Sequence, residues 1–197
     1  MNICAVSNSD PRSPSTTVST SRARHWDQLR GALVAALATF AMAWAATVHG
    51  DEKNLAAAGE GAQVIKYTSE QGGQWRAENI IADQPMPAGW ASADGSLPQE
   101  LIVRLPASAR FNTLIFTLRS ETPEAERARD VSIYAADPFP TMGGWRLVGA
   151  VRLASAPGDQ VFAVAPTEGR FIRVLITSAQ SQNATRLSLG RFNLLWR

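Results

Sequence analysis

Cysteine and histidine are nearly missing from this chain of 197 residues: Cys4 is its single cysteine, and His25 and His49 are its two histidines. All three precede residue 50, so the remainder can form no internal disulfide. It also lacks the imidazole that a Ser or Cys nucleophile needs as its base. A zinc site would have to be assembled from carboxylates and one His, against the metal's ligand preference. No glycine-rich phosphate loop lies between a strand and a helix, and no long amphipathic helix follows residue 50. Charge bias is missing too. Residues 1–46 hold Arg12, Arg22, Arg24 and Arg30 against Asp10 and Asp27; removing these from the 19 basic and 17 acidic residues leaves 15 of each. A neutral domain lacks the basic footprint of a nucleic-acid binder.

What is present begins with a polar, Arg-containing leader and an uncharged run, GALVAALATFAMAWAATV, at 31–48. A basic flank, an apolar stretch and A-x-A-like sites at Ala41–Ala43 and Ala43–Ala45 predict a secretory signal, residues 1–46. The alternative is an uncleaved anchor over 31–48, although the run is short for a span of about 20 residues and rich in weakly hydrophobic Ala. Either reading predicts export, to the periplasm or outside the cell. Residues 47–61 are small and polar and read as a linker, leaving 62–197 as one domain.

Beyond residue 61 the hydrophobic period is two. Strand-like runs fall at 62–68, 101–105, 113–119, 131–135, 145–153, 161–165, 171–177 and 187–196. Between them lie turn residues, including Pro106-Ala-Ser, Asp137-Pro-Phe-Pro and Pro166-Thr-Glu-Gly. One short helical stretch is predicted, Gln74–Ala82, and Glu121–Arg129 reads as a charged loop. The spacing predicts an all-β antiparallel sandwich or jelly roll of about eight strands. Simple alternation of strands sends the connections 84–99, 120–128, 154–159 and 179–187 to one end. The other end takes 106–112, 137–144 and 166–170.

Several short segments then resemble the discoidin-type domain, the C-terminal domain of coagulation factors five and eight, within the galactose-binding-domain-like jelly rolls. They are WRAENIIAD at 75–83, GWAS at 89–92, PQELIVRL at 98–105, VSIYAAD at 131–137, the Trp145 strand, RFIRVLITS at 170–178 and LGRFNLLW at 189–196. The resemblance implies a sandwich whose end loops bind glycans, anionic lipids or proteins; fold likeness alone does not choose among these. It also implies, for many relatives, a calcium site using an Asp after the first strand and a Glu in the last. The Asp is present as Asp83, but the Glu position is Arg191, and a guanidinium cannot ligate calcium. The expectation is therefore no cofactor, with Arg191 paired to Asp83 or Glu78 in place of the ion.

The sequence points to a non-catalytic recognition module. Its glycan site is expected at Trp75, Arg76, Trp90, Arg127, Gln182 and Asn183, where an indole can stack on a sugar and amide or guanidinium groups can bond hydroxyls. Trp90 reads as core or as platform, whereas Trp145 and Trp196, on alternating strands, read as core. Expected partners are a glycan or cell-envelope polysaccharide, or an envelope protein docked on Ile115, Val148 and Ala150. No nucleic acid is expected, and membrane contact arises only through an uncleaved leader. The acidic cluster Glu121, Glu124, Glu126 and Asp130 leaves a two-carboxylate glycosidase as the enzymatic alternative; a solvated loop is the plainer reading.

Overall fold

The computed structural model describes residues 53–84, 89–141 and 143–197. The leader, the apolar run and the first part of the 47–61 stretch lie outside these. Among the described residues no helix is long and apolar enough to cross a membrane.

Among the described residues eight strands form: β1 (Gln63–Tyr67), β2 (Trp90–Ala91), β3 (Gln99–Leu118), β4 (Asp130–Ala136), β5 (Arg146–Arg152), β6 (Gly158–Ile176), β7 (Ser188–Leu189) and β8 (Arg191–Leu195). All named pairings are antiparallel. A ribbon of β3 and β6 forms the backbone of the fold. Its lower half, Gln99–Arg104 against Phe171–Ile176, is flanked by β1 on one side and by β4 then β5 on the other. Its upper half, Thr113–Leu118 against Gly158–Ala163, is flanked by β8. The ribbon thus passes from one layer of the sandwich to the other.

The two expected turns at Pro106 and Pro166 are instead bulges within these long strands. Register jumps from Arg104↔Phe171 to Ala109↔Gly169, and from Phe111↔Thr167 to Thr113↔Ala163. Pro106 and Pro166 both fall inside the skipped stretches. Proline has no N–H for a ladder, so an unpaired bulge is where a strand tolerates it, and the bulge bends the ribbon.

Alternate residues of both halves meet in one core: Leu101, Val103 and Leu105 from the lower half, and Leu114, Phe116 and Leu118 from the upper. Val131, Ile133, Ile172, Val174, Ile176, Phe192 and Leu194 join them. The Phe116 and Phe192 rings lie 5.3 Å apart. Alternation also fails in β5. Tyr134 pairs with Leu147 and Ile133 with Gly149, so Val148 is an extra residue. That bulge packs Val148 against the core and turns Leu147 outward, 57% exposed.

Residues 53–61, expected as linker, are part of the fold. The Asn54 side chain donates to Asn193 Oδ1 (3.0 Å) and accepts from the Leu194 N–H (2.9 Å), and the Leu55 N–H donates to the Leu194 carbonyl (2.8 Å). Ala56 is fully buried beside them. The chain satisfies one edge of β8 in this way, where open backbone groups would otherwise stand.

The short helical stretch forms as a 3-10 helix at Ala77–Ile81, burying Ala77, Ile80 and Ile81. Strand directions place 68–98, 119–129, 153–157 and 177–190 at one end of the sandwich, held together by the two-residue ladder of β2 with β7.

Candidate functional site

At that end a cleft of about 150 Å³ opens between the 95–97 turn and the 178–187 loop. Its lining includes Leu97, Arg129, Ser178, Ser181, Gln182 and Leu187. Main-chain geometry holds the walls. Ser92 N–H donates to the Leu187 carbonyl (2.8 Å), while the Leu187 N–H donates to Ser92 Oγ (2.7 Å). Gly95 seats the turn directly on the opposite wall: a Cβ there would stand 2.4 Å from the Ala184 carbonyl oxygen. Leu97, 47% exposed, forms an apolar lip.

A second group lies behind the same wall. Gly72 and Gly73 take positive φ (77° and 60°), a backbone that residues with a Cβ rarely adopt, and turn the chain back to half-buried Trp75. The Arg186 guanidinium stands 5.1 Å from the Trp75 ring centre, within cation–π range. Its Nε donates to Glu126 Oε2 (2.6 Å) and its Nη1 to Gln71 Oε1 (2.5 Å), while Thr185 Oγ1 donates to Glu126 Oε1 (3.2 Å). Arg186 adjoins Leu187, so one segment serves both groups.

The expected residues separate on inspection. Gln182 lines the cleft and is exposed; Trp75 sits in the adjoining array. Asn183 is an exposed loop-tip residue outside the cleft lining, and Arg76 is exposed beside Trp75 in sequence. Two assignments need correction. Trp90 is fully buried and its indole N–H donates to the Ser69 carbonyl (3.0 Å), so its ring offers no platform. Arg127 is only 8% exposed; its Nη1 donates to the Ser155 carbonyl (2.6 Å) and its Nη2 to the Thr122 carbonyl (2.8 Å). Those carbonyls belong to two different loops, so Arg127 ties loops together and does not face a ligand.

The proposed ion-replacing pair is also different in detail. Arg191 Nη2 donates to the main-chain carbonyl of Asp83 (3.0 Å), and Asp83 Oδ1 accepts from the Gly59 N–H (2.9 Å). Glu78 is exposed and bonded to neither. Calcium wants a set of oxygen donors, and a guanidinium at this carbonyl does not fit it. Among the described residues no group of three or more His, Cys, Asp or Glu side chains converges on a metal position.

The acidic cluster disperses as well. Glu126 belongs to Arg186, Asp130 to Arg129 (3.0 Å) and Arg152 (3.4 Å), and Glu121 and Glu124 face solvent. Asp130 is held below the ordinary carboxylate range by the Ser178 hydroxyl, which outweighs burial, with help from the two arginines. Trp145 and Trp196, read as core, lie outside it. Trp196 is 48% exposed under Arg110, and Trp145 is half-buried on the outer sheet face against Phe139, 6.0 Å between ring centres. The signal missed in the sequence was Arg129 and Arg186, each one residue from a buried apolar neighbour and so fixed at a loop wall.

With the geometry in place, comparison with known proteins is informative. The model of the F5/8 type C domain matches residues 64–189. Among solved structures, CpGH89CBM32-5 from Clostridium perfringens, in complex with GalNAc-beta-1,3-galactose, aligns with TM-score 0.60 at 14% identity, covering 73% of this chain and 99% of that one. The family 32 carbohydrate-binding module from C. perfringens NanJ, in complex with galactose, aligns with TM-score 0.56 at 19% identity over 68% and 92%. Chitosan-binding module 1 of a chitosanase/glucanase from Paenibacillus sp. IK-5 gives 0.57 at 22%, over 72% and 98%. The comparison with curated proteins gives no match.

Proposed function

The chain belongs to the F5/8 type C domain family, and from that premise we propose that it is an exported, non-catalytic carbohydrate-binding module that takes its glycan at the loop end. The observation that carries this reading is the cleft beside Leu97 and Gln182. An apolar lip can cover the C–H face of a sugar ring while amide, hydroxyl and guanidinium donors bond its hydroxyls. Similar structures hold galactose or GalNAc-beta-1,3-galactose, which supports the same ligand class here. The basic leader and the 31–48 run support export, by a cleaved signal or a retained anchor.

The adaptor reading needed an exposed apolar face at Ile115, Val148 and Ala150. Ile115 is 8% exposed and Val148 packs on the core, while Ala150 is exposed, so two of the three expected docking residues are withdrawn from a partner.

The test is calorimetric titration of the purified protein with neutral, amino and acidic oligosaccharides. At least one should bind, and Leu97→Ala and Gln182→Ala should each weaken it roughly five- to ten-fold. Both side chains are exposed, so melting should stay unchanged. Absence of binding across all three classes would end the proposal.

A further inference from the structure

Arg129 is held differently from Arg127 and Arg186, its neighbours at the loop end. Arg127 spends both Nη groups on carbonyls, and Arg186 is spread over Glu126, Gln71 and Trp75. Arg129 is fixed by its Nε alone, which donates to Asp130 Oδ2 (3.0 Å) and Ser178 Oγ (3.2 Å). Its main chain is locked as well, N–H to the Ser178 carbonyl (2.9 Å) and carbonyl to the Leu153 N–H (2.8 Å). Among the described residues its two Nη groups have no hydrogen-bond partner. Arg129 lines the cleft, the one charged residue to do so among the described residues, and its side chain is 28% exposed.

Asp130 is shared with Arg152, one carboxylate between two guanidiniums. Asp94, on the facing turn, is held ionised by the Ser96 hydroxyl (2.5 Å) and the Ser96 N–H (2.9 Å) and forms no ion pair with Arg129, so the Nη edge of Arg129 stays open. A fixed guanidinium with a free Nη edge matches the two coplanar oxygens of a carboxylate. Because its geometry is already set by Asp130 and Ser178, little ordering remains to be done on binding.

We propose, resting on the carbohydrate-binding reading above, that the cleft is selective for an acidic saccharide and that Arg129 receives the ring carboxylate of a uronic-acid unit. Leu97 covers the sugar face opposite, and Gln182 and Ser181 serve its hydroxyls.

The experiment compares oligogalacturonate, its methyl ester, neutral galacto-oligosaccharide and a sulfated galactan oligomer by calorimetry at two salt concentrations. Free oligogalacturonate should bind about 10- to 100-fold tighter than its methyl ester, the range expected for one charge-assisted pair. That preference should shrink at higher salt. Arg129→Met should abolish the preference of acid over ester, whatever it does to neutral-sugar affinity, and Arg129→Lys should restore it in part. The methyl-ester comparison uses the unaltered protein, so a misfolded variant would not obscure the answer. Equal affinity for the acid and its ester overturns the assignment while leaving the carbohydrate-binding reading intact. Tightest binding to the sulfated oligomer overturns the carboxylate in favour of sulfate. Binding of no sugar at all removes both.

Discussion

Two side chains that look like ligand groups in the sequence serve the interior. Trp90 fills core space and gives its one polar atom to Ser69. Trp90→Ala should therefore cost about 3–5 kcal/mol in urea unfolding, the range for large aromatic deletions, whereas Trp75→Ala should cost far less. Arg127→Met should cost on the order of 2–4 kcal/mol, because the Thr122 and Ser155 carbonyls lose a charged donor. Its effect on sugar affinity, measured on the folded fraction, should be small. At Asp83 the neighbouring Arg191 leads to a further expectation. Adding millimolar calcium should leave the melting temperature unchanged, and a rise of several degrees would contradict the assignment. The sequence offered core as one reading of Trp90 and paired Arg191 with Asp83, but it gave no sign of the role of Arg127. A charged or aromatic residue in a loop reads as exposed until the fold shows what lies above it, and both Trp90 and Arg127 are roofed by neighbouring loops.

At the scale of elements, the period of two was clear wherever one face meets the core. It located segments of every long strand, and the order of elements then brought the connections 84–99, 120–128, 154–159 and 179–187 to one end, as the structure has them. What it could not reveal was continuity. Pro106 and Pro166 carry the chemistry of turns, yet a bulge inside a long ribbon needs the same residue for the same lack of an N–H. Pro166→Ala should accordingly change stability by less than about 1 kcal/mol, since no ladder bond is at stake. Val148 was expected on the outer face, but as the extra residue of a bulge it packs against the core, and a bulge leaves no mark in hydrophobicity. The segment 53–61 was invisible for another reason. Small residues such as Ala56 can pack as closely as large ones without producing a pattern. Asn54→Ala should lower stability by about 1–3 kcal/mol through the loss of its contacts to Asn193, Ala56 and Leu194.

For the whole molecule, acid sensitivity follows from the lower sheet. Burial pushes Glu100 up, but Lys66 (3.0 Å) and Arg173 (2.5 Å) outweigh it and hold the carboxyl below its ordinary range. Asp130 is depressed as well. The unfolded chain then binds more protons than the folded one below about pH 4, so stability is full above that value. It should be lost as pH falls through the depressed folded values. Urea midpoints between pH 7 and 3 should show the decline, and Glu100→Gln should make it shallower.

One feature has its largest effect beyond the domain itself. Because Asn54 and Leu55 bond to Asn193 and Leu194, the polypeptide enters and leaves the folded unit side by side. A unit with adjacent ends behaves as a cassette. It can be spliced into a surface loop of a host enzyme, or its ends joined and reopened elsewhere, without stretching the sandwich.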